Sequence, residues 1–204
     1  MSFHPSYTPT ITPNTLGSNL TFDFVGSSLA DTLPTGCTTA GCTTGSKFQG
    51  AVLGLDRKLY LIPDDAQYIT KFDPGTDTTV NKFADLGLVD PSLSDQSHKY
   101  SGGILETTSG KIYANPLNAI TGPLVIDTAV SPVTVSQSYF SNCNSRCSLQ
   151  AAGGVLGGSG ASECLYMVPF TGPAKVRTMV TSSDAVGADL PFPETPTAGP
   201  IHSI

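Results

Sequence analysis

The chain has 204 residues, a net charge of −6 and only 13% charged residues, about half of the roughly 25% usual in soluble domains. Its ten Lys and Arg are spread along the sequence, so there is no basic patch to neutralise phosphates and nucleic acid is not an expected partner; no run of about 18 apolar residues exists to span a bilayer. Twenty-one Gly and 16 Pro, with many Ser and Thr, work against helix interiors and suit turns and strands, so the expected class is all-β.

Residues 1–46 carry two carboxylates, Asp23 and Asp31, and no Lys or Arg, and read as a Thr/Pro-rich arm. The start has no basic segment and no apolar core, so it is not read as an intact secretory signal. Within the arm, Leu20, Phe22 and Phe24 alternate with Asn19, Thr21 and Asp23, the period of a strand with one buried face over 19–25. Asn19-Leu20-Thr21 is a glycosylation sequon, which makes Asn19 the candidate acceptor. Cys37 and Cys42, then Cys143 and Cys147, form two close pairs in Thr/Ser/Gly/Asn-rich stretches. Short disulfide-closed loops suit such segments, which have little apolar surface to bury. Zinc hooks want C-x2-C or a nearby His, and neither is present. Cys164 is left over on an expected strand and reads as a buried, inert thiol. Low charge, paired cysteines and the sequon together point to an extracellular or cell-surface location.

From residue 47 the chain repeats itself. Lys47-Phe-Gln-Gly50-Ala-Val-Leu53 recurs as Lys99-Tyr-Ser-Gly102-Gly-Ile-Leu105 and, in shorter form, as Ala152-Gly-Gly154-Val-Leu156. Lys58-Leu-Tyr60-Leu-Ile-Pro63 matches Lys111-Ile-Tyr113-Ala-Asn-Pro116 and Cys164-Leu-Tyr166-Met-Val-Pro169. Ile69-Thr-Lys-Phe-Asp73 corresponds to Leu124-Val-Ile-Asp127, and in the third copy to Ala174-Lys-Val-Arg-Thr-Met-Val180. The expected units are 47–98, 99–149 and 150–181, each of three or four short strands, with a Pro-rich tail over 182–204 running across a surface. A period near 50 with this content is that of a β-propeller blade.

The pattern G-G-V/I-L, then G-K-I-Y-x-x-P, then V-I-D resembles the kelch-like propeller repeats, over about residues 47–181. The first copy departs from it with Gln-Gly-Ala, and the third lacks the Ile-Asp. The resemblance implies a propeller-type fold and carries no common catalytic residues.

Rings of this kind have four to eight blades, so three units leave apolar flanks that need covering. Three routes are open: the chain is a piece of a longer protein, two copies complete a six-unit ring, or end segments pair in trans. Leu20, Phe22 and Phe24 either add as a strand to a neighbour's edge or complete a unit of their own chain. Leu53, Tyr60, Leu105, Tyr113, Leu156 and Tyr166 are the expected unit cores. Chemistry is sparse. His98 reads as a solvated loop residue, and Lys58 and Lys111 as solvated turn residues. Asp73 and Asp127 occupy one place in successive units and read as turn caps. Gly157-Gly-Ser159-Gly160-Ala161 lacks the helix that a nucleophile elbow needs and reads as a tight turn. No cofactor and no metal is expected. The reading is therefore a non-enzymatic extracellular structural protein that self-associates into a ring or filament. A carbohydrate- or protein-binding module is the runner-up. A hydrolase or lyase, with Asp64 or Asp65 as its carboxylate, is third.

Overall fold

The computed structural model describes residues 46–76, 81–94, 96–119, 122–139, 150–171 and 175–191. The expected strand at Leu20, Phe22 and Phe24, the sequon at Asn19 and the cysteines Cys37, Cys42, Cys143 and Cys147 lie outside them. Three antiparallel sheets follow one another along the chain. The first is β1 (Phe48–Leu53), β2 (Leu59–Pro63), β3 (Tyr68–Phe72) and β4 (Asn81–Asp85). The second is β5 (Tyr100–Glu106), β6 (Lys111–Pro116), β7 (Leu124–Asp127) and β8 (Thr134–Gln137). The third is β9 (Gln150–Gly157), β10 (Cys164–Thr171), β11 (Lys175–Val180) and β12 (Ala185–Val186), with β13 (Leu190–Pro191) also pairing β11. Each is a meander whose strand order in space is its order in sequence, the economical result of short turns between short strands. A four-residue helix α1 (Leu86–Val89) follows β4, N-capped by Asp85. Among the described residues no helix is long and apolar enough to cross a membrane. The all-β, propeller-like architecture read from the repeats is the one observed.

The period-2 alternation of each second strand decides how the sheets stack. In β6, Ile112 and Ala114 join Tyr60 and Ile62 of β2 in one buried cluster, whereas Tyr113 turns the other way and joins Leu165 and Met167 of β10 in another. Leu124 and Ile126 of β7 go to the first cluster and Val125 to the second. The second sheet is thus apolar on both faces and sandwiched, which is why the Leu-Val-Ile run of β7 does not alternate with polar residues. The first strands, β1, β5 and β9, approach most closely: a Cβ on Gly50 would lie 3.3 Å from Gly102 Cα, and Ser101 Oγ donates to the Ala151 carbonyl at 2.6 Å. Gly50 and Gly102, with φ of +91° and +67°, sit at breaks in the β1–β2 and β5–β6 registers, where a left-handed residue lets the strand bulge.

Several sequence expectations meet their structural counterparts here. Asp73 Oδ1 accepts from the Gly75 N–H at 2.9 Å and Asp127 Oδ1 from the Ala129 N–H at 3.1 Å, so both cap the following turn. Gly160–Ser162 is a 3-10 turn between β9 and β10. Cys164 opens β10 as a free thiol on the expected strand, half-buried rather than buried. Lys111 departs from its reading as a solvated turn residue. It is half-buried and pairs with Asp184, which also lies 2.7 Å from the Tyr113 hydroxyl and whose carbonyl accepts from Ser138 Oγ at 2.9 Å. Asp184 thereby ties the turn after β11 to the second sheet. The tail stretch 185–191 adds the two short strands β12 and β13, with Pro191 on an edge strand, where proline is tolerated.

Candidate functional site

The three copies are alike in sequence but not in surroundings, and the difference is graded along the chain. Ile112 and Leu165, at one place in the second and third sheets, are fully buried. The first sheet's counterpart, Leu59, is half-buried, as is Leu61 beside it. Leu53, expected in the unit core, is 51% exposed, whereas its counterparts Leu105 and Leu156 pack against the two buried clusters. The reason is positional: Leu105 and Leu156 face the sheet before theirs, and no described sheet precedes the first. The trailing side shows the reverse. Tyr60 and Tyr113 are fully buried against the next sheet; Tyr166, with no described sheet after it, is half-buried. Its neighbours Val155 and Val168 are 59% and 45% exposed. The described body therefore ends in two open apolar faces. One holds Ala51, Leu53, Leu59 and Leu61, the other Val155, Tyr166 and Val168.

A second feature sits where the first sheet hands over to the second. After Pro63 the chain continues alongside residues 46–47, the Asp64 N–H donating to Lys47 C=O and the Asp65 N–H to Ser46 C=O, each at 3.0 Å. This buries both carboxylates completely or nearly so. The Lys99 N–H then donates to Asp64 C=O at 3.0 Å, which brings His98 over the pair. The His98 N–H donates to Asp65 Oδ1 at 2.9 Å, and its ring Nδ1 lies 3.2 Å from Asp64 Oδ1 and 3.9 Å from Asp65 Oδ1. Gln49 Nε2 donates to Asp64 Oδ2 at 3.0 Å. Burial raises the Asp64 carboxyl above its ordinary range against the pull of His98. Lys99 is fully buried, its Nζ donating to Gln96 C=O at 2.8 Å. Burial pushes its ammonium down to about 8 although Asp65 and Asp64 hold it up.

His98 is the exposed loop residue expected, but its N–H and ring also engage the two buried carboxylates, and that cluster was not visible in the sequence. The carboxylates and the imidazole are far apart along the chain and meet only because each sheet's second strand runs back past the residues before the next sheet's first. The same hand-over recurs one unit later, with the Leu117 N–H donating to Lys99 C=O and the Asn118 N–H to His98 C=O. There the acids are replaced by Leu117 and Asn118, so the charged cluster belongs to the first junction. Asp64, Asp65 and His98 form the group that could hold a metal ion among the described residues.

Elsewhere, a cavity of about 600 Å³ opens at the outer rim between β4, α1 and β8, lined by Phe83, Asp85, Leu88, Val133, Val135 and Tyr139 among others.

No protein-family model matches the sequence, and no curated protein does. Among solved structures the chain is similar to virginiamycin B lyase from Staphylococcus aureus, with a TM-score of 0.52 at 11% identity, over 73% of this chain and 42% of that one. A streptogramin B lyase gives a TM-score of 0.48 at 12% identity over 74% and 42%. The chain thus spans less than half the length of these structures. The first likeness is one of fold, and that fold is a β-propeller.

Proposed function

We propose that this chain is a non-enzymatic structural subunit with divergent kelch-like repeats, working outside the cytoplasm, that associates head to tail through its two open faces. One observation carries the reading. The face of Leu53, Leu59 and Leu61 and the face of Val155, Tyr166 and Val168 are the two halves of an interface the chain builds twice within itself, at its first and second junctions. A second copy is the occupant that matches both halves. Each apolar side chain buried there is worth about 1.5–3 kcal/mol, and several together offset an association cost of about 4–15 kcal/mol. Two copies bring six sheets, within the range that closes a ring, and repetition without closure makes a filament. Low charge, the close cysteine pairs and the sequon at Asn19 support the extracellular setting. The strand read at Leu20, Phe22 and Phe24 is a further means of joining copies by edge addition.

The test is native mass with complementary variants. Wild type forms oligomers at low micromolar concentration, and Leu53→Glu and Val155→Glu are each monomeric, because each lacks one half of the contact. Mixing the two variants restores one intact interface and yields a dimer that grows no further. A wild type that stays monomeric at high concentration refutes the reading.

A glycan- or peptide-binding module is the second reading. The rim cavity supports it, since Phe83 and Tyr139 beside Asp85 offer aromatic faces and a carboxylate in one concave site. Binding on a glycan array that Tyr139→Ala abolishes would favour it. A hydrolase or lyase comes third; the lyase activity of the similar structures is said of those proteins alone.

A further inference from the structure

We propose that Asp64, Asp65 and His98 bind one divalent transition-metal cation that links the first sheet to the second. Their donor atoms lie within 4.8 Å of one another, and the 3.2 Å from His98 Nδ1 to Asp64 Oδ1 falls in the range of about 3–4.4 Å that metal–ligand bonds of about 2.0–2.2 Å impose. An independent observation points the same way. Asp65 is 2% exposed, and its Oδ2 has no hydrogen-bond partner among the described residues. Lys99, the buried cation nearby, does not take that oxygen up but donates to Gln96 C=O. A buried carboxylate oxygen without a donor forfeits its hydration with only the through-space pull of Lys99 in return, and a cation bonded to it supplies the missing partner. The outer shell is also in place. Gln49 holds the second oxygen of Asp64 and the His98 N–H holds Asp65, the kind of support that orients ligating carboxylates. Half of the His98 side chain is exposed, which leaves a path for the ion and a position for water.

The ligand chemistry narrows the ion. One imidazole nitrogen with two carboxylate oxygens suits Mn²⁺, Zn²⁺ or Fe²⁺ better than Ca²⁺ or Mg²⁺, which prefer all-oxygen shells. The site does not depend on the assembly reading, because every ligand comes from one chain and one internal junction.

Mn²⁺ is the probe to use, since the free thiol of Cys164 would compete for Zn²⁺. Full-length protein freed of metal with a chelator is titrated with Mn²⁺, and the loss of the free-ion electron paramagnetic resonance signal is followed. One ion binds per chain, and Zn²⁺ displaces it. Asp65→Asn, and His98→Gly, which tolerates the local φ of +53°, each weaken binding at least about tenfold, and Gln49→Ala weakens it by a similar factor. Asp127→Asn, a turn cap in the second sheet, changes nothing. Paramagnetic broadening in the wild type gives a readout that needs no variant: amide signals of residues 49, 64–66 and 98 vanish first. No saturable binding up to about 1 mM, the weak end of specific ion sites, overturns the proposal. So does binding that survives both ligand substitutions, or broadening centred elsewhere.

Discussion

Glu106 turns the β5–β6 hairpin, its carboxylate accepting from the N–H groups of Thr108 and Ser109. Burial works against its charged form, but the hydrogen bonds from Ser109 and Thr108 outweigh it and hold the carboxyl below its ordinary value. A group whose folded value is depressed contributes stability above its unfolded value of about 4.3, and loses it as pH falls through the folded one. Glu106→Gln is therefore destabilised relative to wild type at pH 7, and the gap closes as pH drops below about 4. Urea unfolding midpoints of both proteins across that range check it; a gap that is constant with pH contradicts the assignment. Tyr113 makes the complementary case at a sheet junction. Its hydroxyl reaches Asp184 and the Thr181 carbonyl, and burial raises it far above the usual phenol range, with Asp184 acting in the same direction. Tyr113→Phe keeps the ring packing and leaves Asp184 with Lys111 alone, at a cost of about 0.5–1.5 kcal/mol in chemical denaturation.

The first three strands of each sheet were legible because they repeat, whereas β12 and β13 fall in the stretch read as a Pro-rich tail. Tyr60, Tyr113 and Tyr166 recur at an identical spacing and all fall on the second strand of a sheet, and the Asp at the end of the third strand caps its turn in both copies that keep it. What the repeats could not convey is what lies against each element. Leu53 has the sequence of a core residue and the exposure of a surface one, since its partner surface is not in the described body. Asp64, Asp65 and His98 looked like separate loop residues because the contact that gathers them is made between units rather than within one. The glycines of the first strands divide in the same manner. Gly102 has φ +67° with nothing within 4 Å of an added Cβ, whereas an added Cβ on Gly103 would meet Ile62 Cδ1 and the Tyr113 carbonyl at 3.2 Å. Gly102→Ala carries only the left-handed penalty of about 1–2 kcal/mol. Gly103→Ala presses the first sheet off the second and costs more, about 1–3 kcal/mol or above. If thermal melts rank the two in the opposite order, the close approach at Gly103 is not what holds the sheets in place.

In the whole molecule, stability should follow the number of covered faces. The second sheet is covered on both sides and the first and third on one each, and in stacked repeats a unit's protection is its own stability plus the interfaces it makes. In dilute monomer, hydrogen exchange is slowest in β6 and faster in β2 and β10, although all three are central strands with ladders on both sides. Tyr113→Ala, which empties a fully buried site, costs about 3–5 kcal/mol by comparison with other large aromatics. Tyr166→Ala at the half-open counterpart costs about 1–2 kcal/mol. Raising the concentration separates the head-to-tail arrangement from every other packing. If Leu59–Leu61 of one copy lie on Tyr166–Val168 of the next, exchange slows in β2 and β10 together and to a similar degree, while β6 is unchanged. Slowing in β2 alone, or in β10 alone, would mean like faces pairing with like. That contact is two-fold and closes on itself at two copies, so neither a ring of more copies nor a filament could grow from it.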